Sequence, residues 1–186
     1  MSTKSELPRF CSKIGHMPQA NQKPRQQGDS PLTPADLKHF MFKHIEAARI
    51  LKGKEKNGMV AYHLGYVLEF ALKVCICKHL HQVAYPGDKK DKDEGRFFRS
   101  HSFTRLFMLS GLQDMFDRGR QYGGLYDSFT QEYPGDDWTK MRYNRKTQKY
   151  LSDKRVATRL YKTLVGQGRG APNSIVGIIK RQSGLW

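Results

Sequence analysis

Residues 58–80 constrain the fold most. Apolar side chains surround this stretch on nearly every helical side, so a helix here must be covered all round and sit at the centre of a helical assembly. Two charges stand inside it, Glu69 and Lys73, four residues apart with the glutamate first, the order that favours an ion pair along one helix face. In such surroundings the pair must be satisfied internally or open onto a cleft. It reads first as a structural pair that orients neighbouring loops, and second as the rim of a ligand site. Gly65 lowers helix propensity and is expected where a neighbour approaches closely.

The flanking segments are helical too. Thr33-Pro-Ala-Asp36 is a start signal, with a capping hydroxyl, a proline suited to the first turn and an acid at the positive end of the helix dipole. Leu37, Phe40, Met41, His44, Ile45, Ala48 and Leu51 then recur at helical spacing until Gly53. A third helix is expected over residues 100–122, capped by Ser100 or Ser102. Gly123-Gly124 and residues 133–137 read as loop, with a short helical turn over 126–132. Trp138, Met141 and Tyr143 are expected to anchor this connection to the bundle. Ser152 is expected to cap a fourth helix, 152–165, that turns Val156, Leu160 and Leu164 inward and Arg155, Arg159 and Lys162 outward. Pro172 opens a short last helix with Ile175, Val176, Ile178 and Ile179. No strand pattern is evident, so the chain reads as all-α.

The 186 residues suit one domain plus tails. Residues 1–32, rich in Gln, Pro, Lys and Ser, read as a flexible and dispensable basic arm, and 33–186 as the helical domain. Residues 82–100 form a long connection of mixed charge, which points to function or mobility. The formal net charge is +16. Between positions 140 and 181 stand twelve Lys/Arg against one acid, Asp153, so that stretch carries +11 of it. Such a field favours polyanions, because each phosphate neutralised releases counterions. The three cysteines do not make a disulfide framework. With no apolar leader at the N-terminus and no run expected to approach the ~20 apolar residues of a membrane span, a soluble cytoplasmic protein without a membrane partner is expected.

Three residues before or at the start of the expected third helix carry possible chemistry. Arg96 and Arg99 can clamp a phosphate, and His101 titrates near neutrality and can move a proton. The plain alternative is a capping histidine beside solvated arginines. Cys75, Cys77, His79 and His81 resemble a metal cluster at first sight, but on a helix they divide between two faces, and either pair needs outside ligands such as His44 or His63. Buried cysteines acting as small hydrophobes are expected instead, with no metal and no cofactor. No Walker loop, dinucleotide fingerprint, His-Glu-x-x-His or nucleophile elbow occurs.

Three landmarks in order resemble the HEPN superfamily: Tyr62-His-Leu-Gly-Tyr-Val-Leu-Glu-Phe-Ala-Leu-Lys73, the His-led segment from His101 to Leu112, and Arg142-Tyr143 after Trp138. The resemblance covers roughly residues 33–165. It implies an up-and-down bundle of four to five helices, frequently paired into a homodimer. It also implies metal-independent endoribonuclease activity of toxin–antitoxin or phage-defence type, whose signature of Arg, four to six residues and His is met by Arg96-Phe-Phe-Arg-Ser-His101. The residue after that Arg is usually polar in active members and is Phe97 here. The branch with the Glu-x-x-Leu-Lys helix includes non-cleaving partners of nucleotidyltransferases.

Two functions are therefore expected. In the first, Arg96 and His101 cleave RNA, Arg99 helps hold the scissile phosphate, and Arg155, Arg159 and Lys162 position the backbone. In the second, a non-catalytic module binds RNA, a nucleotide or a protein partner, such as an antitoxin or a nucleotidyltransferase, through the basic fourth helix and the Glu69/Lys73 region. Arg142 and Tyr143 join the substrate-binding candidates in either case.

Overall fold

The computed structural model describes residues 31–88, 95, 97–117, 119–133, 138–167 and 172–184. The basic arm over residues 1–30, Arg96, and the side chains of Met141 and Arg142 lie outside the described residues. The fold is all-α, with no strand among the described residues.

Helix α1 (Pro34–Gly53) starts as its sequence demands. The Asp36 amide donates to Thr33 Oγ1 at 3.2 Å and the Thr33 amide donates to the Asp36 carboxylate at 3.0 Å, a reciprocal capping box. Its inward stripe is Leu37, Met41, Ile45 and Ala48. A short link returns the chain as α2 (Asn57–His79), and the two helices form an extensive hairpin. Buried residues on α2 run from Val60 to Cys77 on almost every side. By length and composition α2 is apolar enough to cross a membrane, contrary to the expectation that no run approaches that length. In this fold the other helices cover it, and most of it is buried.

The expected third helix is broken. Ser102 caps α3 (Phe103–Leu109), and α4 (Gln113–Phe116) follows after a turn at Gly111. Gly111 has φ +71°, and the ring of His79 lies 2.8 Å from where a Cβ would stand. Left-handed backbone and an occupied Cβ position both call for glycine, which ends the helix here. The glycine pair read as loop instead begins α5 (Gly123–Glu132), and Phe129 anchors this helix in the core.

A further helix was not expected. Trp138–Tyr143 forms a 3₁₀ turn, and α6 (Arg145–Leu151) follows with the Asn144 side chain accepting from the Lys146 and Thr147 amides. Ser152 does not cap the next helix. Its hydroxyl donates back to the Gln148 carbonyl at 2.7 Å, and Asp153 caps α7 (Lys154–Leu164) by accepting from the Arg155 and Val156 amides. The carboxylate is the stronger acceptor for those amides, which accounts for the one-residue shift. Ser174 caps α8 (Ile175–Ser183), whose Ile175, Val176, Ile178 and Ile179 are all buried.

Helix α2 packs against α1, α3, α6, α7 and α8, so the core is organised around it. Trp138 is fully buried, as expected of an anchor. Tyr143 is 83% exposed, so it is not the buried anchor that was expected.

Candidate functional site

One face of α2 carries Tyr62, Tyr66, Glu69 and Lys73, spaced by four, three and four residues. Glu69 is 2% exposed, yet both its oxygens are occupied. Lys73 Nζ lies 2.8 Å from Oε1. On Oε2 converge the Trp138 indole Nε1, donating at 2.9 Å, and His101 Nδ1, also at 2.9 Å. Burial by itself pushes the carboxyl pKa up. The His101 hydrogen bond and the Lys73 charge outweigh that and hold it below the ordinary glutamate value. A buried ionised carboxylate is tolerable here because three donors satisfy it.

Each partner is positioned by its own element. Lys73 sits one turn along α2, its ammonium 4.8 Å from the centre of the Tyr85 ring, and the Tyr85 hydroxyl donates to the Phe98 carbonyl at 2.7 Å. His101 immediately precedes the Ser102 cap of α3 and remains about half exposed at 52%. Trp138 enters from the 3₁₀ turn over Gly65, where an added Cβ would come within 2.5 Å of the indole ring and of the Tyr133 hydroxyl. That hydroxyl donates to the Ala61 carbonyl at 3.1 Å, and complete burial raises its pKa well above the ordinary value. Gly65 is thus the notch expected from the sequence, filled by Trp138 and Tyr133.

The structure therefore brings together Glu69, Lys73 and His101. Arg99 donates through Nε to the Gly87 carbonyl at 3.0 Å, which commits part of its guanidinium to the turn Pro86–Asp88. On α7, Arg155, Arg159 and Lys162 are exposed as expected. Arg159 is engaged by Glu132 of α5, whose carboxylate also accepts from the Tyr150 hydroxyl. The Arg159 hydrogen bond lowers the Glu132 pKa. Cys75 and Cys77 are buried in the core, and among the described residues no three His, Cys, Asp or Glu side chains converge as a metal site would need.

The sequence reading missed a second histidine group. His44 of α1 and His63 of α2 meet Nδ1 to Nδ1 at 2.8 Å, one donating and the other accepting. Burial, and then the neighbouring His63, push His44 down to about 4; burial also lowers His63. The His44 ring stacks on Tyr66 at 4.5 Å, and Tyr66 meets Trp138 edge-on at the same separation. The Tyr66 hydroxyl also bonds that of Tyr62 at 3.0 Å. An aromatic run thus links the histidine pair to the Glu69 group. The spacing of Glu69 and Lys73 along one helix face was legible beforehand, and Trp138 was expected to anchor its segment; that Trp138 meets Glu69 and that His44 meets His63 had no local signal.

No family model matches the chain, and neither a curated protein nor a solved structure does.

Proposed function

We propose that the protein acts on RNA as a HEPN-like, metal-independent endoribonuclease of toxin–antitoxin or phage-defence type, with His101 as the proton-transfer group. The observation that carries this reading is the 2.9 Å contact between His101 Nδ1 and buried Glu69. A carboxylate that accepts from Nδ1–H selects the tautomer and fixes the ring plane, so proton transfer falls to Nε2. The ribose 2′-hydroxyl attacks the adjacent phosphorus, the new P–O bond closes a 2′,3′-cyclic phosphate, and the 5′-oxygen leaves as a hydroxyl. His101 relays the proton. Arg96 and Arg99 are assigned to the phosphate charge, and Arg155, Arg159 and Lys162 to the RNA backbone. A cytoplasmic homodimer that pairs two such sites belongs to the same proposal.

A second reading, a non-catalytic module for RNA, a nucleotide or a protein partner, is favoured by one observation. Lys73, Trp138 and His101 satisfy Glu69 in the manner of a structural carboxylate. End-labelled RNA incubated with purified protein in EDTA separates the two. Cleavage by wild type but not His101→Ala, leaving cyclic phosphate ends, is expected. RNA that is bound and shifted but intact in both lanes moves the assignment to the module, and equal cleavage by both removes His101 from catalysis.

A further inference from the structure

A cavity of about 440 Å³ opens between the start of α2 and the α6–α7 junction. Its volume falls within the range of small-ligand sites. We propose that it is a nucleobase site, which takes a free ribonucleotide or one base of an RNA strand.

The lining carries the chemistry. Tyr62, half-buried, supplies an aromatic ring, and Met59 and Leu151 supply apolar flanks. A base gains from stacking on such a ring whatever its identity. Asn57 and Gln148 add two carboxamides, groups that present a donor and an acceptor together and so match the edge of a base. The Asn57 carboxamide is held in place by donating to the Ser152 carbonyl at 3.1 Å. Glu55, the one acid among the described lining residues, is neutralised by Lys154 at 2.6 Å, and Lys56 stands on the same wall, so a phosphate meets net positive charge.

Tyr62 also connects the cavity to the Glu69 group. Its ring packs edge-on against Trp138 at 5.5 Å, and Trp138 donates to Glu69. From Tyr62 to Glu69 is roughly 10 Å along α2 at about 1.5 Å per residue, or about three nucleotides at the roughly 3.4 Å spacing of a stacked strand. Occupation by a base of RNA rests on either RNA reading above, and occupation by a free nucleotide on the non-catalytic reading alone.

Calorimetric titration of the full chain with each of the four ribonucleoside 5′-monophosphates tests the site, with ribose 5-phosphate as the control lacking a base. At least one nucleotide is expected to give saturable heat and ribose 5-phosphate none. Met59→Trp, which fills the cavity from a half-exposed position, and Gln148→Ala, at an exposed position, are each expected to weaken binding by about tenfold, the scale of one lost base contact. His101→Ala is expected to bind as wild type, so loss of cleavage and loss of the site are separate results. A short RNA containing 5-iodouridine that crosslinks to the segment holding Met59 and Tyr62 identifies the occupant as RNA; nucleotide binding without that crosslink identifies a free nucleotide. No saturable heat from any nucleotide, equal heat from ribose 5-phosphate, or unchanged affinity in both cavity variants overturns the proposal.

Discussion

The Trp138 indole and the Glu69 carboxylate are joined at 2.9 Å across 69 residues of sequence, both inside the core. The contact ties the 3₁₀ turn to the middle of α2. It also leaves Glu69 oriented so that the same oxygen receives His101. A buried acid, its lysine and a half-exposed imidazole thus form one unit whose members depend on one another.

Removing the acid breaks that unit from one side. Glu69→Ala leaves the partly buried Lys73 without its counter-charge and the Trp138 N–H without its acceptor. A loss of about 3 kcal/mol or more is expected in denaturant melts. Melting at the wild-type midpoint would show that the group carries no structural weight.

Gly65→Ala tests the notch. The added Cβ has 2.5 Å to the Trp138 ring and to the Tyr133 hydroxyl, so both must shift although the helix itself would favour alanine. Destabilisation of about 1–3 kcal/mol is expected. A neutral or stabilising result in thermal melts would mean that the indole does not sit over Gly65.

Acidification should act on the histidine pair before it acts on Glu69. The unfolded chain protonates His44 near its ordinary value of 6.5, whereas the folded chain holds it to about 4. The unfolded state therefore binds more protons in that window. The stability contribution is complete above 6.5 and is lost as pH falls toward 4. The groups facing His44 are His63, which shares its proton, and Glu69, which partly opposes the shift. Melting temperature measured across this window should fall in wild type and fall less steeply in His44→Phe. The Glu69 contribution is lost only at still lower pH, below its ordinary value of 4.5. Parallel curves for wild type and His44→Phe would contradict this assignment.

Arg159 separates stability from binding. Its pairing with Glu132 is at the surface, with the arginine side chain 54% exposed, so Arg159→Ala should leave the thermal midpoint nearly unchanged. If α7 tracks an RNA backbone, the same variant should weaken RNA binding and reduce the salt slope by about 1. An unchanged slope would place the RNA elsewhere.

Much of the local architecture was legible in the sequence. The Thr33 capping box, the encircling apolar pattern of α2 and the inward stripe of Val156, Leu160 and Leu164 each depend on residues within a few positions of one another. The errors have separate physical causes. Gly123 and Gly124 are poor helix formers that packing of α5 overrides, α6 has too few buried side chains to show a period, and Asp153 outcompetes Ser152 for the same amides.

Periodicity and caps determine which residues turn inward and where helices begin, because these are short-range properties of a chain with 1.5 Å rise and 3.6 residues per turn. They do not determine how far one helix slides along another. That register decides that His44 meets His63, that Trp138 and Tyr133 fill the notch at Gly65, and that His101 closes on Glu69. It emerges only when all the helices pack together around α2, since each contact joins residues that have no influence on one another until the core has formed.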